Sequence, residues 1–421
     1  MNKSDSERIA SVLEKIDYRP TPKKNEADLI VVNMCSVRQS AVDRIYGLLP
    51  KFKKLKANNK KLKTVLTGCI LKKDKKKFAE NFDLMLSIKN MSKLPKFLKL
   101  KTKKASNQDR NYLLIKSMHK TEFSALIPIS NGCNNFCTYC VVPYTRASLM
   151  CRNHKEILEE VKNVVQNKVK EIWLLGQNVN SYKSPSDSSI NFAELLKQVN
   201  GIPGNFWIRF TSPHPKDFSD ELIETMVNCE KITEYLNLPV QSGDNKILKK
   251  MNRPYTVEQY KNLVKKIREK IPEICLSTDA IVGFPGETEK QFQNTVKLFK
   301  EIKFDMAYIS QYSPRPGTAA AKTKDNVSHL EKEKRWRNLS EVLKKTALKK
   351  NKKYIGKIVE VLVEKLTPAK DLTGKAKNSY LLGKTRNYKS VKLLGSKKLL
   401  GEIVRVKITD ALPWSLKGKI V

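Results

Sequence analysis

Between residues 124 and 313, six apolar, strand-like runs alternate with helical patterns, and this alternation restricts the fold more than any other feature of the chain. The runs are 125–130, 171–176, 205–212, 233–240, 274–283 and 304–313. The spacer at 153–168 is typical: Asn153 can cap it, Glu156 stands three residues on, and Ile157, Val161, Val164 and Val165 share one face. Apolar runs joined by helices pair in parallel and are covered on both faces. Six such units predict a partial (β/α)6 barrel, not the closed eight-fold form, with the chemistry on loops at the C-terminal strand ends.

The flanks read differently. Ser4 and Glu7 have capping-box spacing ahead of an Ile9, Val12, Leu13 and Ile16 face. A strand at 28–34, a helix at 37–57 and a strand at 61–68 follow. This predicts a doubly wound α/β domain over 1–100, then a linker at 101–120. The barrel occupies 121–349 and closes on a charged helix at 328–350. Five short strands at 356–366, 379–385, 388–394, 401–409 and 416–421 predict a small all-β, OB-like barrel over 350–421.

No run of 18 apolar residues occurs, which argues against a membrane helix. The opening MNKSDSERIASVLEKI lacks the apolar core of a signal peptide, so the expected location is the cytoplasm. The net charge is +40, carried by 67 Lys and 15 Arg. Much of this Lys excess reads as solvated helix faces. The distribution says more: residues 1–50 carry +1, 51–104 carry +16, 105–349 carry +10 and 350–421 carry +13. A basic end module beside a nearly balanced middle suits a nucleic-acid partner.

Eight cysteines in a long chain without a secretion signal point to metal binding before disulfides. Cys133, Cys137 and Cys140 form C-x3-C-x2-C directly after the first barrel strand. A structural zinc site takes four ligands, and His119 and His154 each lie about 14 residues from the nearest of the three. Three thiolates on a four-iron cluster leave one iron open to a substrate or cofactor. Trp336 and Trp414 read as packing residues.

These residues resemble the radical S-adenosylmethionine methylthiotransferases, and most of all the branch that modifies prenylated adenosine in tRNA. MNKSDSER (1–8), VNMCSVR (32–38), LTGCI (66–70) and CNNFCTYCVVPYTR (133–146) carry the resemblance, followed in order by LLGQNVNSY (174–182), TSPHP (211–215), LPVQSGDNKILKKMNRPYT (238–256), DAIVGFPGETE (279–289) and YSPRPGT (312–318). The tail resembles the TRAM RNA-binding module. The resemblance implies a 4Fe–4S cluster on Cys133, Cys137 and Cys140 with S-adenosylmethionine on its open iron. It implies a second cluster using Cys35 and Cys69, tRNA as partner, an external one-electron donor, a monomer and no membrane. The expected product carries a methylthio group on carbon 2 of a prenylated adenine beside the anticodon. That C–H bond has no useful acidity, so no catalytic side chain is named; cofactor radical chemistry does the work. Alternatives are a relative acting on another tRNA base or a ribosomal protein, and a non-catalytic RNA-binding paralogue.

Gly176, Gln177 and Asn178 end the second barrel strand and read as cofactor-binding. Gly283, opening the Gly283–Gly286 turn after the fifth strand, and Arg209 are further cofactor candidates. Arg209 and Arg146 read either as partners of a bound carboxylate or phosphate or as structural ion pairs, and Gln241, Ser242 and Gly243 either as a functional loop or as a plain turn. The sequence departs from the family twice. Where the family continues Gly-Arg-Glu-x-Ser-Arg after the position of Arg146, this chain has Ala147-Ser148-Leu149-Met150-Cys151-Arg152. The family also places three cysteines in the N-terminal domain, and the first would fall just ahead of Met1. The expectation is a start set too far downstream, with roughly 10–20 missing residues forming one short strand.

Overall fold

The structure is a computed structural model and describes residues 1–421 apart from 38, 99–111, 116, 118–122 and 371–375. The chain packs as two units. The first comprises Met1–Lys120, Ser130–Arg152 and Ser313–Lys322; the second comprises Thr121–Ile129, Asn153–Tyr312 and Thr323–Val421.

In the first unit, parallel strands β1 (Leu29–Cys35), β2 (Lys63–Cys69) and β3 (Leu84–Met85) lie in that order. Helix α1 (Asn2–Glu14) buries Ile9 and Val12 with Val65, Leu86 and Ile88 on one face. Helices α2 (Gln39–Tyr46), α3 (Leu49–Asn58) and α4 (Lys72–Phe78) contribute to a second core around Met34, Leu66 and Phe78. The expected single helix at 37–57 is two, because Pro50 enters at the first turn of α3 and a proline cannot continue a preceding helix. The capping box is also corrected: α1 starts at Asn2, which puts Ser4 and Glu7 inside it. Lys51, Lys53, Lys54, Lys72, Lys73, Lys75, Lys76 and Lys77 stay exposed on α3 and α4.

Most of the expected linker 101–120 lies outside the described residues. Its described part is not a tether: Tyr112, Leu113 and Ile115 are buried in the core of α1. Residues 130–152 belong to this same unit. There the ladder Ser130↔Cys151, Asn131↔Met150 closes the base of the three-cysteine loop.

The second unit contains six parallel strands: β4 (Ser124–Pro128), β5 (Glu171–Leu175), β6 (Trp207–Phe210), β7 (Tyr235–Asn237), β8 (Cys275–Val282) and β9 (Met306–Gln311). They form two sheets, β6-β5-β4 and β7-β8-β9, joined by the parallel bridge Ile208↔Ile232. This is the partial barrel expected from the alternation. Asn153 caps the helix His154–Gln166 as predicted, accepting from Lys155 N. The tail forms a closed barrel from β10 (Ile358–Lys370), β11 (Ala376–Thr385), β12 (Ser390–Leu394), β13 (Ile403–Ala411) and β14 (Leu416–Ile420). Val361, Val363, Leu381, Val391, Val406 and Leu416 fill it at no exposure, each contributing roughly 1.5–3 kcal/mol of burial.

The β11–β12 turn, residues 385–389, plugs the N-terminal end of the barrel strands. Tyr388 packs on Tyr235 (4.6 Å) and Trp173 (5.2 Å). Arg386 pairs with Glu234 (3.0 Å), and Lys389 with Asp305 (2.8 Å), which also holds Lys350 (2.6 Å). Trp336 and Trp414 depart from the packing expectation, at 40% and 47% exposure. Among the described residues no helix is long and apolar enough to cross a membrane.

Candidate cluster and cofactor site

The three-cysteine loop is held by its backbone. Cys133 N donates to Ala147 O (3.2 Å) and Cys140 N to Cys137 O (2.9 Å). Gly132 has φ +87°, and a Cβ there would stand 2.1 Å from Ser148 O, so the closure admits only glycine. Phe136, at the loop tip, is exposed. The helix Val142–Arg146 follows, and Ala320 N donates to Thr138 O (2.8 Å) from the YSPRPGT segment. Cys133, Cys137 and Cys140 are half-buried and free of disulfides. Among the described residues no three His, Cys, Asp or Glu side chains meet as ligands of one metal ion. A four-iron cluster presents its irons at separate corners and takes thiolates set apart, so one short loop with three thiols fits it.

Cys35 and Cys69 end β1 and β2 and are direct register partners. Parallel pairing puts both thiols at one end of the sheet, which fits two members of a cluster's ligand set. Gly68 precedes Cys69 at φ +107°, and a Cβ there would meet Met34 O at 2.2 Å. Beside Cys35, Ser36 Oγ donates to Asp74 (2.8 Å), and Arg315 lies 3.8 Å from the same carboxylate and bonds Gln39. Beside Cys69, Arg146 Nε donates to the sulfur (2.9 Å), and its other nitrogens reach Asn131 and the Asp5 carboxylate. Burial pushes the Cys69 thiol up, and Arg146 opposes it. No sequence signal links Arg146 to Cys69, which lie 77 residues apart.

In the second unit, the loops after β5 and β6 are tied together. Asn180 Nδ2 donates to His214 O (3.0 Å) and His214 N to Asn180 Oδ1 (2.8 Å). Asn178 Nδ2 and Ser181 Oγ both donate to Asp217 (2.9 and 2.8 Å). Asn178 Oδ1, an acceptor, and His214 Nε2, which carries the ring proton because Nδ1 accepts from Lys216 N (3.3 Å), are buried atoms with no partner among the described residues. Buried polar atoms are normally satisfied, so this pair fits a bound polar ligand. Gly176 is buried and Gln177 half-buried on the same strand end. Burial, then Arg253 and Lys216, push His214 down to about 2, so it is a neutral imidazole. The reading of TSPHP gave no role to this histidine.

Two further cofactor candidates have partners within the unit. Arg209 is fully buried at the opposite, N-terminal end of the strands. Nε pairs with Glu171 (2.6 Å), and the other nitrogens donate to Thr233 Oγ1 and to the Thr385 and Arg386 carbonyls. It anchors the plug. At Gly283 (φ +69°) the close approach is by the Lys332 stem, 2.3 Å from a built Cβ, and the amide donates to Glu287 (2.6 Å), which Arg335 pairs. Gln241, Ser242 and Gly243 likewise pack inward: Gln241 N donates to Asp279 O and Gly243 N to Thr295 Oγ1.

Three family models match the chain. Residues 1–88 match the uncharacterized protein family UPF0004, 127–299 the radical SAM superfamily and 352–421 the TRAM domain. The tRNA-2-methylthio-N(6)-dimethylallyladenosine synthase of Clostridium botulinum is 43% identical over all of this chain and 94% of its own length. That of Acetivibrio thermocellus is 41% identical over all of this chain and 89% of its own. The chain belongs to this family. It is a tRNA methylthiotransferase of the radical SAM class. A solved cobalamin-dependent S-adenosylmethionine radical enzyme, OxsB, shares the fold at a TM-score of 0.52 and 12% identity, covering 80% of this chain and 54% of that one.

Proposed function

We propose that this methylthiotransferase uses Cys133, Cys137 and Cys140 to hold a 4Fe–4S cluster that binds S-adenosylmethionine, and Cys35 and Cys69 to hold a second cluster. The substrate is a prenylated adenosine next to the anticodon of tRNA, modified at carbon 2 in the cytoplasm by a monomer fed by an external one-electron donor. When bound, the clusters and S-adenosylmethionine supply hydrogen abstraction at an unactivated carbon, sulfur and a methyl group. The chain's own residues position and exclude. Gly132 and Ala147 fix the loop, and Gly176, Gln177 and Asn178 line the strand end where the cofactor binds. Neutral His214 and Asn178 Oδ1 offer hydrogen bonds without charge. The observation that carries the reading is the shared unit: the three-cysteine loop and the Cys35–Cys69 pair fold together, joined through Arg146.

The exposed basic side chains of the tail supply the RNA surface. Arg405 and Lys407 alternate with buried Val406 and Ile408 on β13, and Lys407 is the register partner of Lys419. The test is iron and sulfide quantitation on anaerobically reconstituted protein. Changing Cys133, Cys137 and Cys140 to Ala removes about four irons and abolishes S-adenosylmethionine cleavage; changing Cys35 and Cys69 removes iron but leaves cleavage. Retained cleavage in the triple variant would end the radical reading.

A further inference from the structure

Arg146 is 3% exposed and uses its guanidinium in three directions. Nε donates to Cys69 Sγ (2.9 Å), Nη1 to Asn131 Oδ1 (2.9 Å), and Nη2 to the Asp5 carboxylate, with Asn2 Oδ1 at 3.5 Å. Asp5 is fully buried and also accepts from the Tyr112 hydroxyl. Asn131 precedes Gly132 and Cys133. One side chain therefore joins the end of β2 to the base of the three-cysteine loop.

The Asp5 pair alone would satisfy a buried guanidinium charge. The third direction is the informative one. A neutral thiol is a weak acceptor, whereas a thiolate accepts a charge-assisted bond of about twice the strength. A planar fork with fixed N–H directions can serve a sulfur, an amide oxygen and a carboxylate at once; an ammonium cannot.

We propose that Arg146 is a positioning residue for the second cluster: its Nε–H orients the Cys69 sulfur and raises that cluster's reduction potential, while Nη1 registers the same guanidinium against the loop of the first. This rests on the reading that Cys35 and Cys69 ligate a cluster. The sign follows from charge. Reduction makes a cluster more negative, so a donor on a ligating sulfur stabilises the reduced state.

The test uses the full chain with Cys133, Cys137 and Cys140 changed to Ala, so that only the second cluster reports. After anaerobic reconstitution, iron content, the electron paramagnetic resonance spectrum of the reduced cluster and its midpoint potential are measured with Arg146, Arg146→Lys and Arg146→Gln. Arg146→Gln is expected to lower the potential and change the spectrum. Arg146→Lys, which keeps the charge near Asp5 but loses the fork, should fall between. Circular dichroism and the thermal midpoint check folding; if Arg146→Gln fails to fold, Arg146→Lys decides. An unmoved potential and spectrum overturn the proposal. Iron that survives Cys35→Ala with Cys69→Ala in the same background overturns the ligand reading instead.

Discussion

Ala147 occupies a backbone conformation that belongs to glycine. Its φ is +66° and ψ −165°, a region in which a Cβ costs about 1–3 kcal/mol. The family carries glycine at this place in its loop. The alanine cannot relax cheaply, because its carbonyl accepts from Cys133 N and a Cβ at Gly132 would already stand 2.5 Å from the same oxygen. Ala147→Gly should therefore stabilise the first unit. Glycine's larger unfolded-state freedom offsets about 0.5–1 kcal/mol of the gain. The net is about 0–2.5 kcal/mol, centred on a rise of a few degrees at roughly 2–4 °C per kcal/mol. Thermal melting of the apo-protein measures it, and hydrogen exchange at the Cys133 amide should slow alongside. Ala147→Val should move both the other way. A lowered midpoint for Ala147→Gly, or an Ala147→Val variant that melts like the parent, would refute the strain argument.

Three further outcomes are expected. Asp305→Asn should cost about 3–5 kcal/mol, read from urea unfolding, because it strands Lys389 in the plug. Burial raises the Asp305 carboxyl, but Lys389 and Lys350 outweigh it and hold it below its ordinary value; its stabilisation is therefore present above the unfolded pKa and lost as pH falls through the folded one. His214, pushed down to about 2, should stay neutral in nitrogen NMR down to pH 4; because its folded value is depressed, its term is full above the unfolded pKa of about 6.5 and shrinks as pH falls. Titration near 6.5 would contradict the burial. Changing Arg405, Lys407 and Lys419 together to Gln should weaken tRNA binding uniformly and reduce the salt slope by about one per lost phosphate contact; an unchanged slope would mean these charges face only solvent.

Much of the fold was legible because burial leaves a period. The six barrel runs fall on β4–β9, and the five tail runs on β10–β14, since each apolar run is a buried strand between turn residues. The misses have local causes. Pro50 was passed over as a helix break, and Tyr112, Leu113 and Ile115 were read as linker although their apolar character was plain. The cysteine loop was legible because its three cysteines sit within eight residues. Arg209 was not: its ion-pair partner lies 38 residues away and its carbonyl partners 176 and 177 away, so only tertiary structure distinguishes a plug anchor from a cofactor ligand. At Gly283 the sequence cannot separate two causes, since close approach by a ligand and by a lysine stem leave the same glycine.

The most direct measurement is mass spectrometry of tRNA nucleosides from cells that make prenylated adenosine but lack their own methylthiotransferase, supplied with this chain. Its expression should convert the prenylated adenosine to its 2-methylthio form, and changing Cys133, Cys137 and Cys140 to Ala should prevent this. Prenylated adenosine left unmodified by protein shown to carry its clusters, or modification that survives the triple variant, would contradict the account.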